Sequence, residues 1–473
     1  MLFSSPIFIF AFLPIVLFLI GIGKKQFHNS ILLIASLIFY AWGSLSQTPI
    51  FIFSIIINYI FGLLIDKNRD KSDKLILTIA VIVNLGLLGY YKYFNFLLDN
   101  INLIKSTPIE YTPVGLPIGI SFFTFHALSY VIDVYRKKVQ VQKNFLDLAL
   151  YISFFPQLIA GPIVRYYDVA TQFANRTMSM EKAAFGIQRF IFGLAKKVIV
   201  ANTFAFIADG IFNNPAASLS TSAAWLGIIS YTIQIYFDFS GYSDMALGLA
   251  KIFGFDFPEN FNYPYSSQSI KEFWRRWHIS LSTWFRDFLY IPLGGNKGSE
   301  LKTLRNLLIV FFCTGFWHGA NWTFIVWGMY HGLFLLLERL GLDKIISKLP
   351  SPLRVAYTLL VVMIGWVFFR ADKIPEAWIF IERMFGISSG ATTSVFAIEF
   401  INPKVVILFI FAILYSFRIF RAVSDRYMTK FSMAPVLEYR FLLAKFTFAI
   451  VIFFFALAYL AANTYNPFIY FRF

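Results

Sequence analysis

The chain has one cysteine, Cys313, so no intrachain disulfide can form and the sequence carries no mark of its redox compartment. A thiol nucleophile would need a base beside it. His318 lies five positions on, off the same helical face, so Cys313 reads as a core thiol. Charge is scarce as well: 14% of residues are charged and 58% are hydrophobic, whereas soluble chains hold about 25% and about 45 to 50%. That excludes a soluble globular domain of this size, which would have nowhere to put the surplus apolar surface. No metal-ligand spacing, phosphate loop or dinucleotide fingerprint occurs, nor any internal repeat or low-complexity tract.

What the chain has instead is a succession of apolar runs, at 6–23, 50–65, 75–98, 225–250, 352–369 and 441–462 among others. Runs of about 18 residues or more suit a hydrocarbon core about 30 Å thick. They are continuous and do not alternate, which argues for helices over a barrel. The expected fold is all-α: a polytopic membrane protein with roughly 10–12 transmembrane helices plus re-entrant and interfacial pieces, forming a single domain over 1–473 that is most distinctive at 114–332. The first run lacks a small-residue cleavage site and reads as a retained helix.

A net charge of +16 would suggest nucleic acid in a soluble protein. Its distribution argues otherwise. Lys24 and Lys25 follow the first run, the loop at 45–49 is uncharged, 66–74 is rich in Lys and Arg, 99–113 has a single Lys, and 136–143 is basic again. This alternation follows the positive-inside rule and places the amino terminus outside the cytoplasm. The partner it implies is a lipid bilayer, not nucleic acid. Attraction to anionic headgroups or to a phosphorylated cytosolic substrate is a second reading of the same residues.

Two regions interrupt the spans. At 144–168 an apolar stretch of about 15 residues ends in Phe155-Pro156-Gln157-Leu158-Ile159-Ala160-Gly161-Pro162. It is too short to cross and reads as re-entrant or interfacial, buried in protein because its freed backbone groups cannot face lipid. At 251–305, polar, aromatic and basic residues mix. Within it, Lys271-Glu272-Phe273-Trp274-Arg275-Arg276-Trp277-His278 reads as a helix with a Glu272–Arg276 pair and a cationic stripe, suited to a membrane interface.

Histidine is rare, five in all. His28 falls in a loop, His126 in an apolar span where hydrogen bonding is its simplest role, and His318 and His331 in the apolar segments at 307–337. Ionisable residues at membrane depth usually face a bundle interior or cavity. His318 stands out in Thr314-Gly315-Phe316-Trp317-His318-Gly319-Ala320-Asn321-Trp322, where glycines permit close approach and Trp322 is expected to wall the ring from water. A desolvated imidazole is held neutral and able to accept a proton, the state a general base requires. For His331, helix packing is the simpler role. Asp238 and Asp244 are expected to pair with arginines of the basic stretch, with proton relay as the alternative.

At these residues the chain resembles the membrane-bound O-acyltransferase (MBOAT) family, in its bacterial alginate O-acetyltransferase-like branch. The matching blocks are Val114-Gly115-Leu116-Pro117-Ile118-Gly119-Ile120-Ser121-Phe122, Phe155-Pro156-Gln157-Leu158-Ile159-Ala160-Gly161-Pro162 and Asp238-Phe239-Ser240-Gly241-Tyr242-Ser243-Asp244, followed by Phe261-Asn262-Tyr263-Pro264-Tyr265, Phe273-Trp274-Arg275-Arg276-Trp277-His278 and Trp317-His318-Gly319. The likeness runs from the start to about residue 370 and is less distinct beyond. It implies a ring of spans around a central channel in the bacterial cytoplasmic (inner) membrane, with His318 as catalytic base and His278 assisting. It also implies acetyl-CoA as donor substrate with no tightly bound cofactor, and an extracytoplasmic polysaccharide or a secreted partner acetyltransferase as acceptor. Lys271, Arg275, Arg276 and Lys297 are candidates for the donor phosphates on charge and side of the membrane, and Trp277 and Asn321 for substrate contact. Related members move D-alanine from an acyl carrier protein to teichoic acids. A proton-coupled transporter or flippase is the reading from another class; its usual mark, paired halves with matching broken helices, is missing.

Overall fold

A computed structural model describes residues 1–387, 394–419, 435–462 and 465–469, with side chains left out at 435–442. The other positions fall within the stretch beyond residue 371, where the family likeness is less distinct; they include part of the expected 441–462 run's side chains. Helices make up nearly all regular structure among the described residues, and one isolated bridge, Leu219 to Val395, is the sole strand-like pairing there. Among the described residues, six helical segments are long and apolar enough to cross a membrane: Leu45–Lys67, Asp73–Asn102, Met180–Phe212, Trp322–Ile346, Ser351–Arg370 and Leu443–Ala462. Three shorter apolar helices, Phe8–Ile22, Ile120–Tyr135 and Pro403–Ser416, accompany them. The 225–250 run lies in a 32-residue helix, Thr221–Ile252, whose buried Ser230, Thr232, Gln234, Asp238, Ser240 and Ser243 lower its hydropathy.

The chain divides into two compact units, 1–190 with 245–258, and 191–244 with 259–473. In the first, helices Thr48–Lys67 and Asp73–Asn102 are joined by a reciprocal amide pair, Asn58 to Asn84, at 3.0 and 2.8 Å. Amide bonds between helices act as glue where lipid supplies no hydrophobic drive. The piece expected to be re-entrant or interfacial is buried in protein: helix Phe145–Ser153 stops, Phe155–Leu158 adds one turn, and every residue from 148 to 164 is buried. Side chains serve the backbone that the break sets free. The Phe155 N–H donates to Ser36 Oγ at 3.1 Å, Tyr151 Oη to the Val164 carbonyl at 2.9 Å, and Gln157 Nε2 to the Tyr151 carbonyl. His126, fully buried on Ile120–Tyr135, packs 5.8 Å from the Tyr151 ring.

The second unit carries the elements used below: α1 (Thr221–Ile252, to Asp244 in this unit), α2 (Ile270–Arg276), α3 (Ile279–Phe285), α4 (Glu300–His318), α5 (Trp322–Leu337) and α6 (Ser351–Arg370). Its core is aromatic, with Phe273 on Trp277 at 5.6 Å, Trp277 on Trp366 at 5.1 Å and Trp366 on Trp327 at 5.9 Å between ring centres. Helices α4 and α5 cross on glycine. A methyl on Gly315 would come within 2.3 Å of the Phe324 carbonyl, and one on Gly328 within 2.3 Å of the Phe311 carbonyl. Gly315 and Gly328 also lie against one another, so the two backbones touch at this crossing.

A candidate active site around His318

His318 ends α4, and Gly319 leaves the helix in extended geometry. The ring is 5% exposed and stands edge-on to three aromatic rings, Trp317 at 4.9 Å, Trp327 at 5.0 Å and Phe369 at 5.3 Å. Trp322, expected to wall it from water, is 52% exposed and does not; the break at 319–321 turns that side chain away, and α5 and α6 supply the wall. The flanking glycines admit neighbouring chain, since a methyl on Gly319 would meet the Phe324 ring at 2.3 Å. His318 lines a small cavity with Ile235, Phe239, Trp277, Trp327, Trp366, Phe369 and Ile469. Its volume of about 10 Å³ is the room one water-sized group needs.

His278 sits between α2 and α3 with φ 43° and ψ 54°, the left-handed region that costs a residue with a side chain about 1 kcal/mol or more. That corner aims a buried ring at Phe239, 4.7 Å away, and at Trp317, 6.2 Å away. The two histidines thus flank one indole. His278 Nδ1 lies 3.2 Å from Asn260 Oδ1, which also takes the Ser280 N–H at 3.2 Å and the Ser280 hydroxyl at 2.9 Å. A backbone N–H can only donate, so this Asn260 atom is the oxygen, Nδ1 carries the proton, and Nε2 keeps its lone pair. Burial pushes the imidazole down to about 3, so the ring is neutral at any physiological pH.

Helix α2 is fixed at both ends. Ser269 caps it by accepting the Glu272 N–H at 3.1 Å. The buried Glu338 carboxylate takes the Ile270 and Lys271 N–H groups at 2.6 and 3.0 Å, placing negative charge where a helix start favours it. The Glu272–Arg276 pair forms at 2.7 Å, and Arg276 also reaches the Asn262 carbonyl at 3.3 Å. Among the sequence candidates, the structure gathers His318, His278 and Trp277. Lys271, Arg275 and Lys297 are exposed and do not line the cavity. Asn321 caps α5 through the Thr323 N–H at 3.1 Å and donates to the Asp372 carbonyl at 2.9 Å. His331 is fully buried against Trp274 and Trp327, at 5.2 and 5.4 Å.

The two aspartates of α1 correct an expectation. They pair with lysines, not with arginines of the basic stretch: Asp238 with Lys197 at 3.0 Å and Asp244 with Lys196 at 2.6 Å. Two adjacent lysines inside the apolar 180–212 segment were the available signal. Cys313 is half-buried rather than a core residue. Asn260, Trp327 and Trp366 carried no local signal, because their role comes from distant partners.

The sequence model of the MBOAT, membrane-bound O-acyltransferase family, matches residues 120–369. A probable alginate O-acetylase AlgI of Azotobacter vinelandii is 48% identical over 391 residues, covering 81% of this chain and 78% of that protein. A peptidoglycan O-acetyltransferase of Helicobacter pylori is 40% identical over 440 residues, 85% of this chain and 83% of that protein. A teichoic acid D-alanyltransferase of Streptococcus thermophilus is 30% identical over 253 residues, 48% and 58% of the two chains. With apolar helices long enough to span and this match over most of its length, the chain belongs to the membrane-bound O-acyltransferase family as a multi-pass O-acyltransferase.

Proposed function

We propose that the protein moves an acetyl group from a cytoplasmic thioester, acetyl-CoA, to a hydroxyl on an extracytoplasmic polysaccharide or on a partner acetyltransferase, with His318 as general base. The observation that carries this reading is the cavity: a buried imidazole set among aromatic rings that shield it from water. His318 takes the proton from the acceptor hydroxyl as its oxygen attacks the thioester carbonyl. The carbon–sulfur bond breaks, the ester forms, and the proton leaves with the thiol. Water exclusion by Trp277, Trp327, Trp366 and Phe369 keeps hydrolysis from competing. His278, neutral and fixed by Asn260, orients Trp317 and Phe239 around the reacting groups.

Outside the cavity, exposed Lys271, Arg275 and Lys297 are free of carboxylate ion pairs within salt-bridge distance among the described residues, and are suited to donor phosphates. The higher identity to the alginate and peptidoglycan O-acetyltransferases than to the D-alanyltransferase supports acetyl as the group moved. Localisation to a bacterial inner membrane, with the amino terminus outside, follows the same reading. The test is acetyl transfer in sealed vesicles supplied with labelled acetyl-CoA. His318→Ala should lower the rate about 100-fold or more while the protein stays folded; full activity in that variant would end the mechanism. D-alanyl transfer from a carrier protein in place of acetyl transfer would move the assignment to the other branch.

A further inference from the structure

The described chain from Tyr465 to Phe468 forms no helix or strand ladder and Ile469 opens into 3-10 geometry, yet Phe468 and Ile469 are 5% and 4% exposed. A buried segment without a ladder must satisfy its backbone with side chains. Lys197 Nζ donates to the Pro467 carbonyl, and the Ile469 N–H donates to Asp238 Oδ2 at 2.9 Å. The two side chains form an ion pair of 3.0 Å at 3% and 1% exposure. Asn202 Nδ2 reaches the Tyr465 carbonyl at 3.4 Å and Asn466 Oδ1 at 3.1 Å. The Tyr465 hydroxyl donates to Asp209, whose other oxygen receives Arg370 at 2.5 Å. Phe468 packs on the Tyr242 ring at 4.9 Å. At the end of this path the Ile469 side chain forms one wall of the His318 cavity.

We propose that Lys197 and Asp238 are positioning residues for acyl transfer: together they hold residues 465–469 by the backbone, so that Ile469 closes the cavity beside His318. The proposal rests on His318 being the base. A buried ion pair contributes little net stability over apolar packing, so its presence calls for a reason. Here the reason is chemical: the segment offers a carbonyl and an N–H two residues apart, and a paired ammonium and carboxylate supply one donor and one acceptor where lipid-facing packing would supply neither. With Ile469 in place the cavity has room for about one water-sized group. With the wall withdrawn, water reaches the thioester and competes with the acceptor oxygen for the same carbonyl, releasing acetate and free thiol instead of ester and thiol.

Two variants test this. Ile469→Pro deletes the N–H that Asp238 accepts and leaves both charges paired, while Lys197→Met deletes the donor to Pro467. Labelling is read in a Cys313→Ser background carrying Phe468→Cys as reporter, using a small membrane-permeant maleimide. Transfer and acetate release are read separately, without the reporter. Both variants are expected to label at least tenfold faster than the parent, to lose at least tenfold in ester formation, and to release more acetate per ester formed. Unchanged labelling, or faster labelling with transfer and acetate release unaltered, overturns the proposal. So does lost transfer without faster labelling, because the pair would then act on the fold and not on the segment. Should Lys197→Met fail to fold, Ile469→Pro decides alone. A fully active His318→Ala protein would remove the base, while the labelling would still report whether the pair holds the segment.

Discussion

His278 occupies a backbone conformation that only glycine, asparagine and aspartate adopt readily, so its side chain is kept there against a local cost of about 1 kcal/mol. Asparagine separates the two roles of the position. It accepts the left-handed corner and can donate to Asn260 Oδ1 as Nδ1 does, but it has no ring to pack on Phe239 and Trp317. His278→Asn should therefore hold its melting temperature within a few degrees and lose about tenfold or more in kcat, with little change in the KM for donor, as read by calorimetry and vesicle transfer. Wild-type turnover in that variant would reduce His278 to a structural corner. Both histidines stood out in the sequence because the residue is rare and lies among tryptophans. Asn260 did not, since one asparagine in a loop acquires meaning only when the chain folds back and lays its oxygen against Ser280 and His278.

The position of His318 is set by how closely α4 and α5 approach, and that depends on two glycines with no space for a methyl. Gly315→Ala brings a Cβ to 2.3 Å from the Phe324 carbonyl, a backbone atom that cannot swing aside. The helices must separate, at a cost of about 1–3 kcal/mol. Because His318 is three residues on and its wall includes Trp327 of α5, the same displacement opens the cavity. The variant should melt several degrees lower and transfer more slowly, whereas Gly86→Ala, where an added methyl meets nothing within 4 Å, should do neither; equal melting of the two would remove the crossing from the account. Element type was legible here from apolar length, and α2 from its Glu272–Arg276 spacing. What anchors α2 was not, because Glu338 is 68 residues from the N–H it receives. Lys196 and Lys197 stood out in an apolar segment, but opposite charges in sequence do not say which pair the fold brings together, so their match to Asp244 and Asp238 had to come from the structure.

Across the whole molecule, the sequence announced a helical membrane protein through its surplus of apolar residues, and the buried broken segment at 148–164 through its shortness. The 221–252 helix reads in sequence as one more apolar run, whereas the structure buries Ser230, Ser240 and Ser243 and pairs Asp238 and Asp244 with lysines. Orientation is where the charge pattern and the helices now make one claim that can be checked. Asp73–Asn102 has 30 residues, about 45 Å at 1.5 Å per residue, enough to cross the bilayer fully. It places the basic 66–74 loop at one end and the 103–113 loop, with its single lysine, at the other. Lysine and arginine stay on the cytoplasmic side as a rule, so the first loop is expected inside and the second outside. With Cys313→Ser as background, Lys71→Cys and Ser106→Cys introduce one exposed thiol in each loop. An impermeant maleimide added to intact spheroplasts should label position 106 promptly and position 71 only after lysis. The reverse pattern would invert this helix and put the amino terminus in the cytoplasm.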